Sequence, residues 1–82
     1  MGLIARFLAK RADRAIADWR REMVRPAPGA SITAARVYGS YHEWCRDNRR
    51  RWDPGRLRLV PFRREKRGKR LYYCDIAIRE TA

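Results

Sequence analysis

The chain has little of what catalytic and metal centres are usually made from. Its 82 residues include one histidine, His42, and two cysteines, Cys45 and Cys74, far apart in sequence. A zinc site drawn from these would need carboxylate ligands or a second chain, so no metal is expected and both thiols read as buried and reduced. The five glycines form no phosphate-binding loop of the Walker type. No nucleophile, base and orienting acid stand in a recognisable arrangement, and His42 reads as a surface residue of a helix rather than a catalyst. The sequence is therefore expected not to encode an enzyme and to need no cofactor.

Long apolar runs are missing too. No stretch approaches the roughly 20 residues that a membrane-spanning helix requires. The opening segment "MGLIARFLAKRADRAIADWRREMV" is apolar and basic, yet Arg6 interrupts it too early for a signal peptide. Asp13, Asp18 and Glu22 argue against a transit peptide, and Arg6 stands where a myristoylation signal wants Ser or Thr. A cytoplasmic protein is expected, at the nucleoid or in an infected host cell, with no membrane partner. Repeats and low-complexity segments are also absent.

Negative charge is scarce, with nine acidic residues against 21 basic ones and a net charge of +12. Such a field attracts polyanions, nucleic acid above all. The excess is concentrated: twelve of the basic residues and three of the acidic ones fall between Arg46 and Arg70, a local net charge of +9. The scattered acids read as ion-pair partners of arginines.

What the chain does have is enough apolar material for one small domain, residues 1–82. Hydrophobic residues make up 45% of it, and Trp19, Trp44, Trp52, Phe7, Phe62 and the tyrosines supply large buriable groups. Leu3, Ile4, Phe7, Leu8, Ala12, Ala15, Ile16, Trp19 and Met23 recur at helical spacing, with Arg6, Lys10, Arg14 and Arg21 largely opposite. This predicts an amphipathic helix that packs on the core; docking on a partner helix, as in a homodimer, or on an anionic membrane surface is the alternative use of its stripe. "RPAPGAS" reads as a break, since Pro26 and Pro28 cannot continue a helix and Gly29 permits a turn.

A second helix follows, with Thr33 as N-cap, Ile32 placed to staple on Val37, and Val37, Tyr41, Trp44, Cys45 and Asn48 at helical spacing. Arg46, Arg49, Arg50 and Arg51 cluster at its C-terminal end, where the helix dipole favours cations. "WDPGRLRLV" is ambiguous. Asp53 could cap a short helix with Pro54 in its first position, running to about Val60, or the alternation of Arg and Leu could make "RLRLV" a strand. Beyond Pro61, two extended runs around Phe62–Arg64 and Leu71–Ile78 flank "EKRGK", whose Gly68 suits a hairpin turn. Strict alternation would place Tyr72, Cys74, Ile76 and Ile78 on the core face.

Nine arginines and two lysines between Arg49 and Arg70 form the candidate site: Arg49, Arg50, Arg51, Arg56, Arg58, Arg63, Arg64, Lys66, Arg67, Lys69 and Arg70. Such side chains neutralise phosphates and release counterions, and arginine also reaches base edges or a minor groove.

"GASITAARVYGSYHEWCRDN" resembles the C-terminal helix-turn-helix domain of phage and plasmid primase-helicases. There, a small-residue turn leads into a helix carrying a Tyr, Tyr, Trp pattern, matched here by Tyr38, Tyr41 and Trp44 and followed by Cys45. "KRLYYCDIAI" is similar to the basic R-x-Y-Y hairpin that ends those domains. The resemblance spans roughly residues 15 to 80 and implies an α+β winged-helix DNA-binding fold serving replication of mobile elements. The primase and ATPase domains lie outside it, so neither activity is implied.

The sequence is thus expected to form a small winged-helix-like domain, two or three helices followed by a β-hairpin wing. DNA is the expected partner, bound through its backbone with tolerance of sequence. RNA, or a host protein or ribonucleoprotein inhibited in the manner of an anti-CRISPR protein, are the alternatives.

Overall fold

A computed structural model describes residues 3–57 and 61–79, with side chains from Lys10 onward in the first helix. The elements run α1 (Leu3–Met23), β1 (Val24–Thr33), α2 (Ala34–Asp47), α3 (Pro54–Leu57), β2 (Arg64–Arg67) and β3 (Arg70–Ile78). The three strands form one antiparallel sheet in the order β1-β3-β2. This is a small α+β domain, and it carries one strand more than a hairpin.

The helices follow their apolar spacing. In α1 the buried side chains are Ala12, Ala15, Ile16, Trp19 and Met23; in α2 they are Val37, Tyr41, Trp44 and Cys45. The Trp19 and Tyr41 rings meet tilted at 5.6 Å, and each buried tryptophan turns its N–H to the other helix. Trp19 Nε1 donates to Ser40 Oγ at 3.1 Å, and Trp44 Nε1 to Glu22 Oε2 at 3.0 Å. Thr33 caps α2, its hydroxyl accepting from the Arg36 amide at 3.4 Å. Leu57, Phe62, Tyr73 and Ile76 complete the core, and no charged residue is buried among the described residues. Side chains of Leu3, Ile4, Arg6, Phe7 and Leu8 lie outside the described residues.

Two expectations are corrected. "RPAPGAS" does separate the two helices, but as the middle of β1 rather than as a turn. Prolines are tolerated because β1 is an edge strand, where an N–H facing away from β3 has no partner to lose. The strand is also bulged: Pro26 pairs with Ile76 and Ser31 with Cys74, so residues 27–30 stand opposite Asp75 alone.

Asp75 explains the second correction. Its φ of 63° places it in the left-handed region, as does Gly29 at 82°, and its carboxylate Oδ1 accepts from the Gly29 amide at 3.0 Å. That residue shifts the strand's phase. The core face therefore carries Tyr73 before the irregularity and Ile76 and Ile78 after it, while Tyr72 is half-buried and Cys74 is buried outside the main cluster. Tyr73 meets Phe62 edge-on at 5.6 Å. Its hydroxyl is buried without a hydrogen-bond partner among the described residues, and burial raises its pKa.

The hairpin turn matches its expectation. Gly68, at φ 62°, is the first of two loop residues between the paired Arg67 and Arg70, the position where a primed turn wants glycine.

Asp75 joins strain to a bond, and two substitutions separate them. Asp75→Ala should lower stability by about 1–3 kcal/mol, because it keeps a Cβ residue at positive φ while removing the charged hydrogen bond to Gly29 and the pairing with Arg63. Asp75→Gly removes the bond while relieving the backbone, and should cost less. Urea denaturation of both variants checks the order; equal losses would mean that the positive φ carries no cost.

Candidate nucleic-acid interface

The first group of basic residues sits on a loop built onto the end of α2. Asn48 closes the helix, its backbone N–H and its side-chain Nδ2 both donating to the Trp44 carbonyl, at 3.0 and 2.8 Å. Arg49 then turns the chain with φ 53°, and the Arg50 amide returns to the Cys45 carbonyl at 2.8 Å. Further along, the Cys45 thiol donates to the Arg51 carbonyl at 3.7 Å, and the Tyr41 hydroxyl accepts from the Asp53 amide at 3.0 Å. Burial pushes the Cys45 thiol up, which keeps it protonated as a donor, and pushes Tyr41 up to about 12. The backbone from Asn48 to Asp53 is thus held from the core outward.

The loop divides its arginines. Arg50 is half-buried, bonded to Asp18 of α1 at 2.9 Å with its guanidinium 5.4 Å from the centre of the Trp44 ring. Arg49 and Arg51 are exposed and carry no ion pair among the described residues. Trp52, expected to be buriable, is instead 47% exposed and rests on the His42 ring at 4.4 Å.

The ambiguity of "WDPGRLRLV" resolves as a helix as far as Leu57. Asp53 caps it, Oδ1 accepting from the Arg56 amide at 3.3 Å, and Pro54 takes the first helical position. Arg56 does not project freely from it. Its Nε and a terminal nitrogen grip both oxygens of Asp13 at 2.9 and 2.7 Å, a bidentate clamp from α3 to α1. The same guanidinium holds the Asp13 carboxyl below its ordinary pKa. Arg58 lies outside the described residues, as does the expected continuation to Val60.

The second group lies on the hairpin. All four residues of β2, Arg64 to Arg67, are exposed. Arg63, just before it, pairs with Asp75 at 3.3 Å. Arg67 is the most engaged: it bonds Glu65 at 3.1 Å and Ser31 at 3.2 Å, with its guanidinium 5.0 Å from the centre of the Tyr72 ring. Hydrogen bonding to Arg67 lowers the pKa of the Glu65 carboxyl. Lys66, Lys69 and Arg70 are exposed around the turn, and with Arg64 they have no ion pair among the described residues.

Ten of the eleven expected site residues lie among the described residues, and they fall into separate settings. Arg50 and Arg56 brace α1, Arg63 and Arg67 brace the sheet, and Arg49, Arg51, Arg64, Lys66, Lys69 and Arg70 are left without a counter-charge among the described residues. The acidic partners that make this division, Asp13, Asp18 and Asp75, stand in the sequence only as scattered acids. Among the described residues no group of three or more His, Cys, Asp or Glu side chains could hold a metal, and no helix is long and apolar enough to cross a membrane. Comparison with protein-family models, curated sequences and solved structures gives no match to this chain.

The clamp predicts a pH dependence. Asp13 has a lowered pKa when folded, so its pairing stabilises the fold above the unfolded carboxylate pKa and that contribution is lost as pH falls through the folded value. Arg56→Gln should lower Tm at pH 7, and its Tm should converge on the parent's as pH falls below the ordinary carboxylate range and Asp13 becomes protonated in both. A Tm difference independent of pH would assign Arg56 a packing role instead.

Proposed function

We propose that this chain is a winged-helix-like, sequence-tolerant DNA-binding protein of phage or mobile-element origin, acting in replication or its regulation and without catalytic activity of its own. The element order α-β-α-α-β-β and the sheet order β1-β3-β2 support the fold reading, with β2 and β3 as the wing. The described part of α3, Pro54–Leu57, stands where a winged helix carries its recognition helix. The proposal rests on backbone contact.

The observation that carries it is the set of uncompensated cations. Arg64, Lys66, Lys69 and Arg70 project from a short hairpin whose base is anchored by Tyr73 in the core, while Arg49 and Arg51 project from a loop tied down at Arg50 and Asp53. Cations fixed on folded elements meet phosphates with less ordering cost than a loose tail does. In a chain of net charge +12, such groups favour polyanions at long range and bind by counterion release at short range.

Lys66→Glu combined with Lys69→Glu should weaken duplex DNA binding at least about 10-fold at low salt. The slope of log affinity against log salt should fall by roughly 2, since each phosphate that is no longer neutralised removes about 0.9. Gel-shift titrations across a salt series measure both quantities, with structured RNA run in parallel. Unchanged affinity and slope would remove the wing from the interface. Tighter salt-dependent binding to RNA than to DNA would reassign the partner.

A further inference from the structure

We propose that Trp52, backed by His42 and preceded in the loop by the exposed Arg49 and Arg51, is a stacking platform for an unpaired base, so that the protein engages single-stranded DNA at the end of α2. This rests on the DNA-binding reading and deepens it by naming the form of DNA taken at this site.

Tryptophan is large enough that folding normally hides it, and the other two tryptophans here are sealed, Trp19 at 0% and Trp44 at 7% exposure. Trp52 at 47% lies outside the core cluster although it sits between two anchored neighbours. The Arg50 amide and guanidinium hold the chain on one side, and the Asp53 amide is held by Tyr41 on the other. The loop is therefore fixed while the indole is turned outward. His42 supports one part of it, with ring centres 4.4 Å apart and planes inclined at 53°.

A base offers a flat π-face of matching size, and stacking tolerates any sequence because every base has one. In a duplex those faces are covered by neighbouring bases, so an outward indole can use them only where the strand is unpaired. Arg49 and Arg51, exposed in the same loop and one before and one after the tied Arg50, supply cations for the phosphates of the stacked strand. This combination of aromatic face and adjacent basic groups is the chemistry by which single strands are held without sequence preference.

The test is an intrinsic fluorescence titration with oligo(dT), together with affinities of the parent, Trp52→Ala and Trp52→Phe for oligo(dT) and for a duplex. Binding of the single strand should quench the emission of the exposed tryptophan, and the quenching should vanish in both variants. Trp52→Ala should weaken oligo(dT) binding roughly 5- to 100-fold, with Trp52→Phe intermediate and duplex affinity changed less than about 2-fold. If the parent binds both nucleic acids but Trp52→Ala loses nothing, or loses both equally, the platform is refuted while DNA binding stands. If the parent binds neither at low salt, the DNA-binding reading itself falls and the platform with it.

Discussion

The packing of Trp19 of α1 on Tyr41 of α2 is what the rest of the molecule hangs on. Both residues are fully buried, and their rings set the approach of the two long helices. Tyr41 does a second thing with its other end. The ring lies in the core while the hydroxyl reaches the Asp53 amide, so the start of α3 is positioned by the same side chain that joins the helices. With its pKa pushed up to about 12 by burial, that hydroxyl stays neutral throughout the physiological range and the bond does not titrate. Separating the two rings would release the loop that carries Arg49, Arg51 and Trp52.

The same architecture answers how so basic a chain folds. Arginines crowded between Arg46 and Arg70 repel one another, and solvent screening weakens that repulsion only beyond about 10 Å at 0.1 M salt. The fold places acids against three of these arginines: Asp18 against the half-buried Arg50, Asp13 against the half-buried Arg56 and Asp75 against the exposed Arg63. Each of these pairs also joins separate elements or segments. The compensated arginines join segments of the fold, and those without a counter-charge among the described residues stand on the hairpin and on the rim of the α2 loop, where water solvates them.

Structure is legible in this sequence wherever it is decided locally. The helical stripes, the Thr33 cap and Gly68 in the hairpin each follow from a few neighbouring residues, whereas Asp53 and Pro54 leave a short helix and a strand both open. Strand β1 does not, because Pro26, Pro28 and Gly29 are individually strand breakers and become acceptable only at a sheet edge with a bulge. The exchange of Tyr72 for Tyr73 in the core turns on the left-handed Asp75, which no alternation rule anticipates. The division of the basic residues is equally hidden. Asp13 and Arg56 are 43 residues apart, so only the packing of α3 on α1 decides that this arginine is bound internally.

Both edges of the sheet point to side chains, not backbone, as the means of engaging a partner. On one edge Pro26 and Pro28 lack the amide that an added strand would need, and the chain bulges between Pro26 and Ser31. On the other, β2 is only four residues long, and every one of them is charged and exposed. A strand arriving there would meet cations before it met a continuous ladder. Phosphate is suited to the same edge for the opposite reason, since it needs no ladder and gains from each cation it reaches. The features that disfavour pairing of this small sheet with another strand are therefore the ones on which the proposed nucleic-acid surface of its hairpin rests.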